Sequence, residues 1–148
     1  MSDTLYVTRS AVVAAPPPVL FALLADAREH VALDGSGTVV EILGAPDRLS
    51  LGAEFSVRMK AGARYTTHNV VVEFEPDARI AWRHRARHIW RWELAAVPGG
   101  TCVTESWDGR VKRAPGLVAA IGMPRGAGRA IDATLAALHA RFAGDRVS

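Results

Sequence analysis

Hydrophobic and polar residues alternate along most of this 148-residue chain, and two segments near its ends depart from that alternation. The first, Val19–Leu24, is continuously apolar and follows three prolines, which end a preceding strand and fix the start of a helix. The second runs from Pro115 to Phe142 and repeats apolar residues at a spacing of three and four, which predicts a long helix. We therefore expect a curved sheet that wraps around a C-terminal helix.

Seven segments have the alternation of β-strands and are separated by turn residues. The predicted strands are Tyr6–Ala14, Thr38–Leu43, Leu51–Lys60, Thr66–Glu75, Arg79–Arg85, His88–Val97 and Thr101–Asp108. Turns such as Pro76-Asp77 are short, which favours an antiparallel meander. A second short helix is predicted over Asp26–Asp34. The predicted fold class is α+β: a curved seven-stranded antiparallel sheet around a long C-terminal helix, with two short helices after strand 1, in one domain over residues 1–148.

Proline and glycine interrupt the C-terminal helix. Pro124 removes a backbone donor and clashes with the preceding turn, so we expect a break near 122–124 and a longer piece from about Arg125. Gly126 and Gly128 follow, and a glycine inside a helix costs about 1 kcal/mol relative to alanine. Close packing of the helix on the sheet and room for a ligand would each explain these two glycines.

The alternation within each strand predicts which side chains face the C-terminal helix. Charged residues such as Arg58, Glu73 and Arg91 belong on the outer face, so their sequence neighbours point inward. Three or four tryptophans fall on the inner face, and an indole N–H needs a hydrogen-bond partner, which favours a ligand cavity over a solid core. The side chains predicted to line this cavity are Phe55, Val57, Met59, Val72, Phe74, Trp82, Trp90, Trp92 and Trp107 of the sheet and Ile121, Gly128, Ile131 and Leu135 of the helix.

The position of Glu105 depends on the turn that precedes its strand. A two-residue turn at Gly99-Gly100 would place Trp92 opposite Trp107 and turn Glu105 into the cavity. A loop one residue longer would turn Glu105 outward, because a slip of one residue exchanges the two faces of a strand. Inside an apolar cavity, desolvation would raise the pKa of Glu105 and allow it to act as an acid or base. An ion pair with an arginine is the alternative.

Three histidines share the inward parity near two neighbouring hairpins. His68 begins one strand, His84 ends the next, and His88 begins the one after, so a three-residue loop would set His84 opposite His88. They can be solvated residues at hairpin tips, polar anchors at the mouth of the cavity, or ligands of a metal. No recognised ligand spacing supports a metal site. His84, His88 and Glu105 are the candidates for a catalytic role.

Composition limits the classes of function that remain. The formal charge is +3 and the single cysteine, Cys102, excludes an internal disulfide, which fits a reducing cytoplasm. No apolar run approaches the roughly 18 residues of a membrane span, so no integral membrane association is expected. The sequence contains no P-loop, dinucleotide fingerprint, zinc-protease motif or nucleophile elbow, and no cofactor is expected.

A basic run supports a different class of function. Arg83-His84-Arg85-Ala86-Arg87-His88, with Arg110, Lys112 and Arg113 further on, could contact RNA, an anionic membrane surface or an acidic protein partner. Alternate arginines also belong on the solvated outer face of a curved sheet and need no partner there. The small total charge and the absence of an aromatic platform motif argue against nucleic acid.

Three stretches carry a resemblance to a known family. Ala15–Asp26, Trp90–Leu94 and Gly99–Glu105 resemble the START-like SRPBCC superfamily, and among its branches the polyketide cyclase/dehydrase type. The resemblance implies a helix-grip fold with a deep hydrophobic cavity between sheet and helix. It also implies binding of a small hydrophobic molecule, such as a polyketide, lipid, sterol or quinone, with cyclisation or dehydration in some members. No branch-specific catalytic motif is present, so no catalytic residue is carried over. The sequence is compatible with a homodimer.

Overall fold

The computed structural model describes residues 6–34, 37, 39–61, 63–84, 88–110 and 123–143. Its elements in chain order are β1 (Tyr6–Val13), α1 (Pro17–Leu24), a 3-10 turn (Ala27–Glu29), α2 (His30–Leu33), β2 (Val39–Gly44), β3 (Glu54–Ala61), β4 (Ala63–Glu75), β5 (Arg79–His84), β6 (Ile89–Val97), β7 (Gly100–Asp108) and α3 (Met123–Ala143). The seven strands form one antiparallel sheet in the order β1-β7-β6-β5-β4-β3-β2. The predicted α+β fold is confirmed.

The short helices after β1 follow from local sequence. Pro17 occupies the first turn of α1, where its missing N–H requires no partner, and Leu20 and Leu24 bury one side of this helix. The segment predicted as one helix over Asp26–Asp34 is a 3-10 turn followed by the single turn of α2. The carboxylate of Asp26 accepts the backbone N–H of Arg28 at 3.0 Å, which starts the 3-10 turn.

A β-bulge in β4 overturns part of the predicted parity. The pairing of β4 with β5 shifts between Val71 and Glu73, which inserts one residue and exchanges the two faces of the strand at that point. Phe74, beyond the bulge, points inward as predicted and contacts Phe21 of α1 with ring centroids 5.3 Å apart. The inward placement of Val72 is wrong, because this residue occupies the bulge and stays half-buried outside the core.

Before the bulge, odd-numbered residues of β4 face the cavity. Thr67, Asn69 and Val71 are buried, whereas His68 is exposed. His68 lies on the outer face, where its Nδ1 is hydrogen-bonded to Ser56 Oγ at 2.9 Å. The prediction that His68 points inward is therefore wrong. It assumed that His68 and Phe74, an even number of residues apart, lie on the same face, but the residue inserted at the bulge places them on opposite faces.

The turn between β6 and β7 is one residue earlier than predicted. Val97 pairs with Gly100, so the central residues are Pro98 and Gly99. Gly99 has φ of 90°, which suits the third position of a type II turn after proline. Gly100 faces the backbone of Val13, and a Cβ there would overlap the Val13 carbonyl oxygen.

This turn shifts the register of β6 and β7 by two residues from the predicted one. Trp90 lies opposite Trp107, and Trp92 lies opposite Glu105, so the predicted pairing of Trp92 with Trp107 is wrong. An even shift preserves parity. Glu105 and Trp107 therefore face inward, and both are buried.

The C-terminal helix packs mainly on β1 and β7. It begins at Met123, with Pro124 in its first turn, where the missing N–H is tolerated. Ile131 and Leu135 are buried in the core. A Cβ on Gly128 would lie 3.5 Å from Val7 Cγ1 of β1, so this glycine reflects close packing on the sheet. The residues before 123, with the predicted Ile121, lie outside the described part of the chain.

Candidate functional site

The register of the sheet arranges its inward side chains in levels. From the β5–β6 hairpin toward the centre these are His84 with His88, then Trp82, Trp90 and Trp107, then Ile80, Trp92 and Glu105. Successive levels are two residues apart along a strand, about 7 Å. His88 at the hairpin end and Glu105 two levels further in therefore occupy different depths of one concave surface.

A cavity of about 480 Å³ lies between this surface and α3. Its volume is within the range of roughly 300–1,000 Å³ typical of small-molecule sites. The sequence-predicted residues that lie at its wall are Phe55, Val57, Met59, Trp82, His84, His88, Trp90, Trp92, Glu105 and Trp107. All four tryptophans of the chain are among them. An apolar wall with a few polar groups is the usual form of a site for a small organic molecule.

The other predicted residues lie elsewhere. Phe74, Ile131 and Leu135 belong to the core or pack against it, and Gly128 contacts β1 rather than the cavity. On α3 the residues that face the cavity are Gly126, Ala130 and Thr134. They form a stripe next to the more apolar stripe of Ile131 and Leu135 that the sequence analysis predicted to face it. A Cβ on Gly126 would meet no atom within 4 Å, so this glycine leaves open space at the cavity wall. Close packing on the sheet thus explains Gly128, and room for a ligand stays a prediction for Gly126.

His30 is a buried cavity residue that the sequence analysis missed. Its Nε2–H donates to the Leu24 carbonyl oxygen at 2.9 Å. Its ring stacks on Trp82 with centroids 4.8 Å apart and meets Phe55 edge-on at 5.7 Å. Burial lowers the pKa of His30, and the Leu24 carbonyl and Asp26 oppose this only in part. Because Nε2 carries the proton, Nδ1 of the neutral ring holds the lone pair.

Glu105 is the acidic group of the cavity. It is 7% exposed, and burial, followed by the negative charge of Asp34, raises its pKa well above the usual value. Its Oε1 atom has no hydrogen-bond partner among the residues that the structure describes. Asp34 itself accepts the backbone N–H of Val39 at 2.8 Å. The surroundings therefore favour the neutral carboxylic acid at this position.

The arginine ion pair considered for Glu105 is absent from the described part of the chain. Arg9 of β1 lies directly opposite Glu105 in the sheet, at the position from which an ion pair could form. Its guanidinium instead pairs with Asp132 of α3, with Nε 3.3 Å from Oδ1. Arg9 is thus paired with the helix, and among the described residues Glu105 has no ion-pair partner.

Trp92 contributes a second polar atom to the same level. It is 4% exposed, and its Nε1 has no hydrogen-bond partner within the described ranges. An indole N–H can only donate. A buried donor without a partner costs about 1–3 kcal/mol, and native proteins contain few of them. Glu105 Oε1 and Trp92 Nε1 thus give this part of the cavity wall two buried polar atoms that can still form hydrogen bonds.

The histidine cluster of the sequence analysis is reduced to a pair. His84 N–H donates to the His88 carbonyl oxygen at 2.9 Å, and the two rings stack with centroids 5.0 Å apart. The His88 ring also contacts Trp107 at 5.6 Å. His68 is on the opposite face of the sheet, so a mouth built from three histidines is excluded. No group of three or more metal-ligating side chains occurs in the described residues.

Ion pairs occupy the outer face of the sheet. Arg91 binds the Glu73 carboxylate through two hydrogen bonds of 2.8 and 2.6 Å, and Asp108 accepts from Arg110 at 3.0 Å. Arg79 pairs with Glu93 at 3.3 Å. Of the basic positions that the sequence analysis named, Arg110 is thus paired with a carboxylate, and Arg83 is exposed on β5. Arg85, Arg87, Lys112 and Arg113 lie outside the described residues.

No helix in the described part of the chain is long and apolar enough to cross a membrane.

Comparisons with known proteins identify the family. A family model described as polyketide cyclase / dehydrase and lipid transport matches residues 4–143. The uncharacterised protein Rv0088 of Mycobacterium tuberculosis is 38% identical over 146 residues, which are 95% of this chain and 65% of that protein. The chain thus spans a little under two thirds of that relative's length.

Solved structures share the fold at low sequence identity. Protein Ms6760 from Mycobacterium smegmatis has a TM-score of 0.73 at 17% identity, and the match covers 98% of this chain and 95% of that one. StfQ, a di-domain ARO/CYC from the steffimycin biosynthetic pathway, has a TM-score of 0.72 at 16% identity over 96% of this chain and 51% of that chain. With the family model matching nearly its whole length, the chain belongs to the polyketide cyclase / dehydrase and lipid transport family and has the helix-grip fold of the SRPBCC superfamily.

Proposed function

We propose that the protein binds a small, mostly apolar molecule of the polyketide, lipid, sterol or quinone class in the cavity between the sheet and α3. The observation that carries the proposal is the pair of buried polar atoms, Glu105 Oε1 and Trp92 Nε1, in a cavity of about 480 Å³. A ligand that supplies their partners removes the penalty of leaving them unbonded. Flat indole walls favour a planar or fused-ring molecule over a flexible chain. Family membership supports the same class of ligand.

Fluorescence titration with N-phenyl-1-naphthylamine, a neutral apolar probe, tests this function. Because all four tryptophans line the cavity, a bound probe should quench most of the protein emission in a saturable way. Gly126→Leu should weaken binding at least about tenfold, since the added side chain enters open space at the cavity wall and displaces the probe.

Ala140→Leu is the matched control for this titration. It adds similar bulk at an exposed position of the same helix that lies off the stripe of Gly126, Ala130 and Thr134, and it should leave the dissociation constant unchanged. Absence of saturable quenching in the wild type would contradict the proposal. Equal weakening by the two variants would show that the probe binds outside the cavity.

Acid–base catalysis on the bound molecule is a second candidate function. Burial shifts the pKa values of Glu105 and His30 in opposite directions, so one cavity holds a neutral acid and a neutral base. Such a pair suits cyclisation or dehydration, in which a proton leaves a carbon beside a carbonyl group and another is added to oxygen. The steffimycin-pathway protein of the same fold is an ARO/CYC.

Deuterium uptake by 2-tetralone, a bicyclic ketone, tests the catalytic candidate. In D₂O the protein should accelerate exchange at the carbon beside the carbonyl, and mass spectrometry would follow the gain in mass. His30→Gln should remove the acceleration, because an amide cannot accept the proton. Exchange no faster than in buffer, with 2-tetralone bound, would contradict catalysis and leave the binding function intact.

A further inference from the structure

Trp92 and Glu105 form a pair that the fold sets apart from the rest of the cavity wall. They lie directly opposite each other on β6 and β7, and both point inward. Each is more than nine-tenths buried. Among the described residues, neither Trp92 Nε1 nor Glu105 Oε1 has a hydrogen-bond partner, so the two groups do not satisfy each other across the strands.

The hydrogen-bond donors of Trp92 and Glu105 determine which ligand atom can bind to both. Trp92 Nε1–H can only donate, so its partner must be an acceptor. A neutral carboxyl at Glu105 has one O–H to donate, and carboxylic acids held neutral by apolar sites donate in this way to ligand oxygens. One acceptor oxygen with two lone pairs could satisfy both groups. A ligand N–H would serve Glu105 alone and leave the indole donor unbonded.

Local charge discriminates among acceptor oxygens. The negative charge of Asp34 acts on Glu105, while the nearest guanidinium in the sheet register, that of Arg9, is held by Asp132. A ligand carboxylate would bring a second negative charge into this apolar region, where the described residues place no cation beside Glu105 to balance it. A ketone or phenol oxygen accepts the same hydrogen bonds and carries no full charge.

We infer that Trp92 Nε1 and the Glu105 carboxyl together bind one ketone or phenol oxygen of the ligand, about two levels below the His84–His88 pair. This inference rests on the proposed function, because it requires an apolar molecule in the cavity. The site fixes the orientation of that molecule, with its oxygen against β6 and β7 and its rings among the tryptophans. It also selects neutral oxygenated ring compounds over ring carboxylic acids.

Matched naphthalene compounds test the inference. Naphthalene, 2-naphthol and 2-naphthoate would be titrated at pH 7 by displacement of N-phenyl-1-naphthylamine from the whole chain. Two hydrogen bonds at about 1 kcal/mol each predict that 2-naphthol binds roughly tenfold or more tightly than naphthalene. The 2-naphthoate anion should bind more weakly than 2-naphthol.

Variants separate the hydrogen bonds from the hydrophobic contacts. Trp92→Phe removes the donor and keeps an aromatic ring, and Glu105→Leu removes the carboxyl; each should reduce the preference for 2-naphthol over naphthalene to a few-fold. Glu105→Gln keeps a donor and should retain most of the preference. Trp90→Phe, at the neighbouring level, is the control: it should weaken both compounds alike and leave their ratio unchanged.

The outcomes distinguish this inference from the function on which it depends. Equal affinity of the wild type for naphthalene and 2-naphthol would overturn the two-donor site while the cavity function stands. A preference that survives in both Trp92→Phe and Glu105→Leu would overturn it as well. If neither the naphthalene compounds nor the fluorescent probe bind, the cavity function is overturned, and this inference with it.

Discussion

The buried carboxyl of Glu105 should make the stability of the ligand-free protein decrease with rising pH. Its folded-state pKa is raised above 4.5, first by burial and then by the charge of Asp34. Below pH 4.5 both the folded and the unfolded chain hold the proton, so the carboxyl does not change the free energy of unfolding. At higher pH the unfolded chain releases the proton first, and the folded state becomes relatively less favourable.

The size of this effect follows from the linkage between proton binding and folding. Between pH 4.5 and the raised pKa of the folded state, Glu105 lowers the free energy of unfolding by about 1.4 kcal/mol per pH unit. Small domains are stable by only about 5–15 kcal/mol, so a loss over a few pH units is a large fraction of the total. Glu105→Gln has nearly the same shape and cannot ionise, and it should remove this loss.

Urea unfolding at pH 4, 5, 6, 7 and 8 would measure the effect. The quantity of interest is the free energy of unfolding of Glu105→Gln minus that of the wild type, because other titrating groups contribute equally to both and cancel. This difference should be smallest at pH 4 and increase with pH in favour of the variant. Glu73→Gln serves as a control of opposite sign, because Arg91 lowers the pKa of Glu73 and this variant should lose relative stability as pH rises.

Two results would refute the reasoning about Glu105. A difference that stays constant from pH 4 to 8 would mean that Glu105 has the same pKa in the folded and unfolded states. A difference that moves against the glutamine variant at high pH would mean that Glu105 is ionised and paired in the folded protein, as Glu73 is. Either result would also remove the neutral carboxylic acid from the proposed ligand site.

Three further predictions follow from single contacts. Burial lowers the pKa of His30, so the unfolded chain takes up its proton first and the free energy of unfolding should fall as pH drops below 6.5. His30→Gln, measured by urea unfolding, should reduce this decrease. Gly100→Ala should lower the free energy of unfolding by about 3 kcal/mol or more through overlap with the β1 backbone, whereas Gly99→Ala, with open space but φ of 90°, should lose about 1 kcal/mol. Arg91→Met removes both hydrogen bonds to the half-buried Glu73 carboxylate and leaves it only the 3.9 Å contact with Arg79, so it should cost about 2 kcal/mol, and Arg58→Met in its exposed ion pair less than about 0.5 kcal/mol, both by thermal unfolding.

The sequence predicts the sheet well where charged and apolar residues alternate without interruption. In β3, Phe55 and Val57 are buried on either side of Ser56, as their alternation indicates. In β6, Trp92 and Leu94 are buried and Arg91 is paired on the outer face. A strand with one face in a cavity and one in solvent must segregate its residues in this way, so the parity is visible in the sequence.

The same reasoning fails where one residue is inserted. The run of β4 through the bulge reads Asn69-Val70-Val71-Val72-Glu73, and three consecutive valines fit either face. Nothing in such a run marks which valine is the extra one, so the face of every residue before it is undetermined. His68 was assigned to the wrong face for this reason. The turn at Pro98-Gly99, by contrast, carries a sequence signal, since proline followed by glycine is typical of a type II turn.

The chemistry of the cavity depends on contacts between elements that are distant in sequence. His30 is kept neutral by burial, to which the stacked ring of Trp82, over fifty residues later, contributes, and this burial outweighs the opposing effect of the hydrogen bond to the Leu24 carbonyl oxygen. The arginine that the register of the sheet places opposite Glu105 is Arg9, and it pairs with Asp132 of α3, so within the described ranges Glu105 has no counter-ion. Strand alternation says only that Glu105 faces inward. Whether an inward glutamate is an ion-pair partner or an acid is decided by where a third element places its own carboxylate.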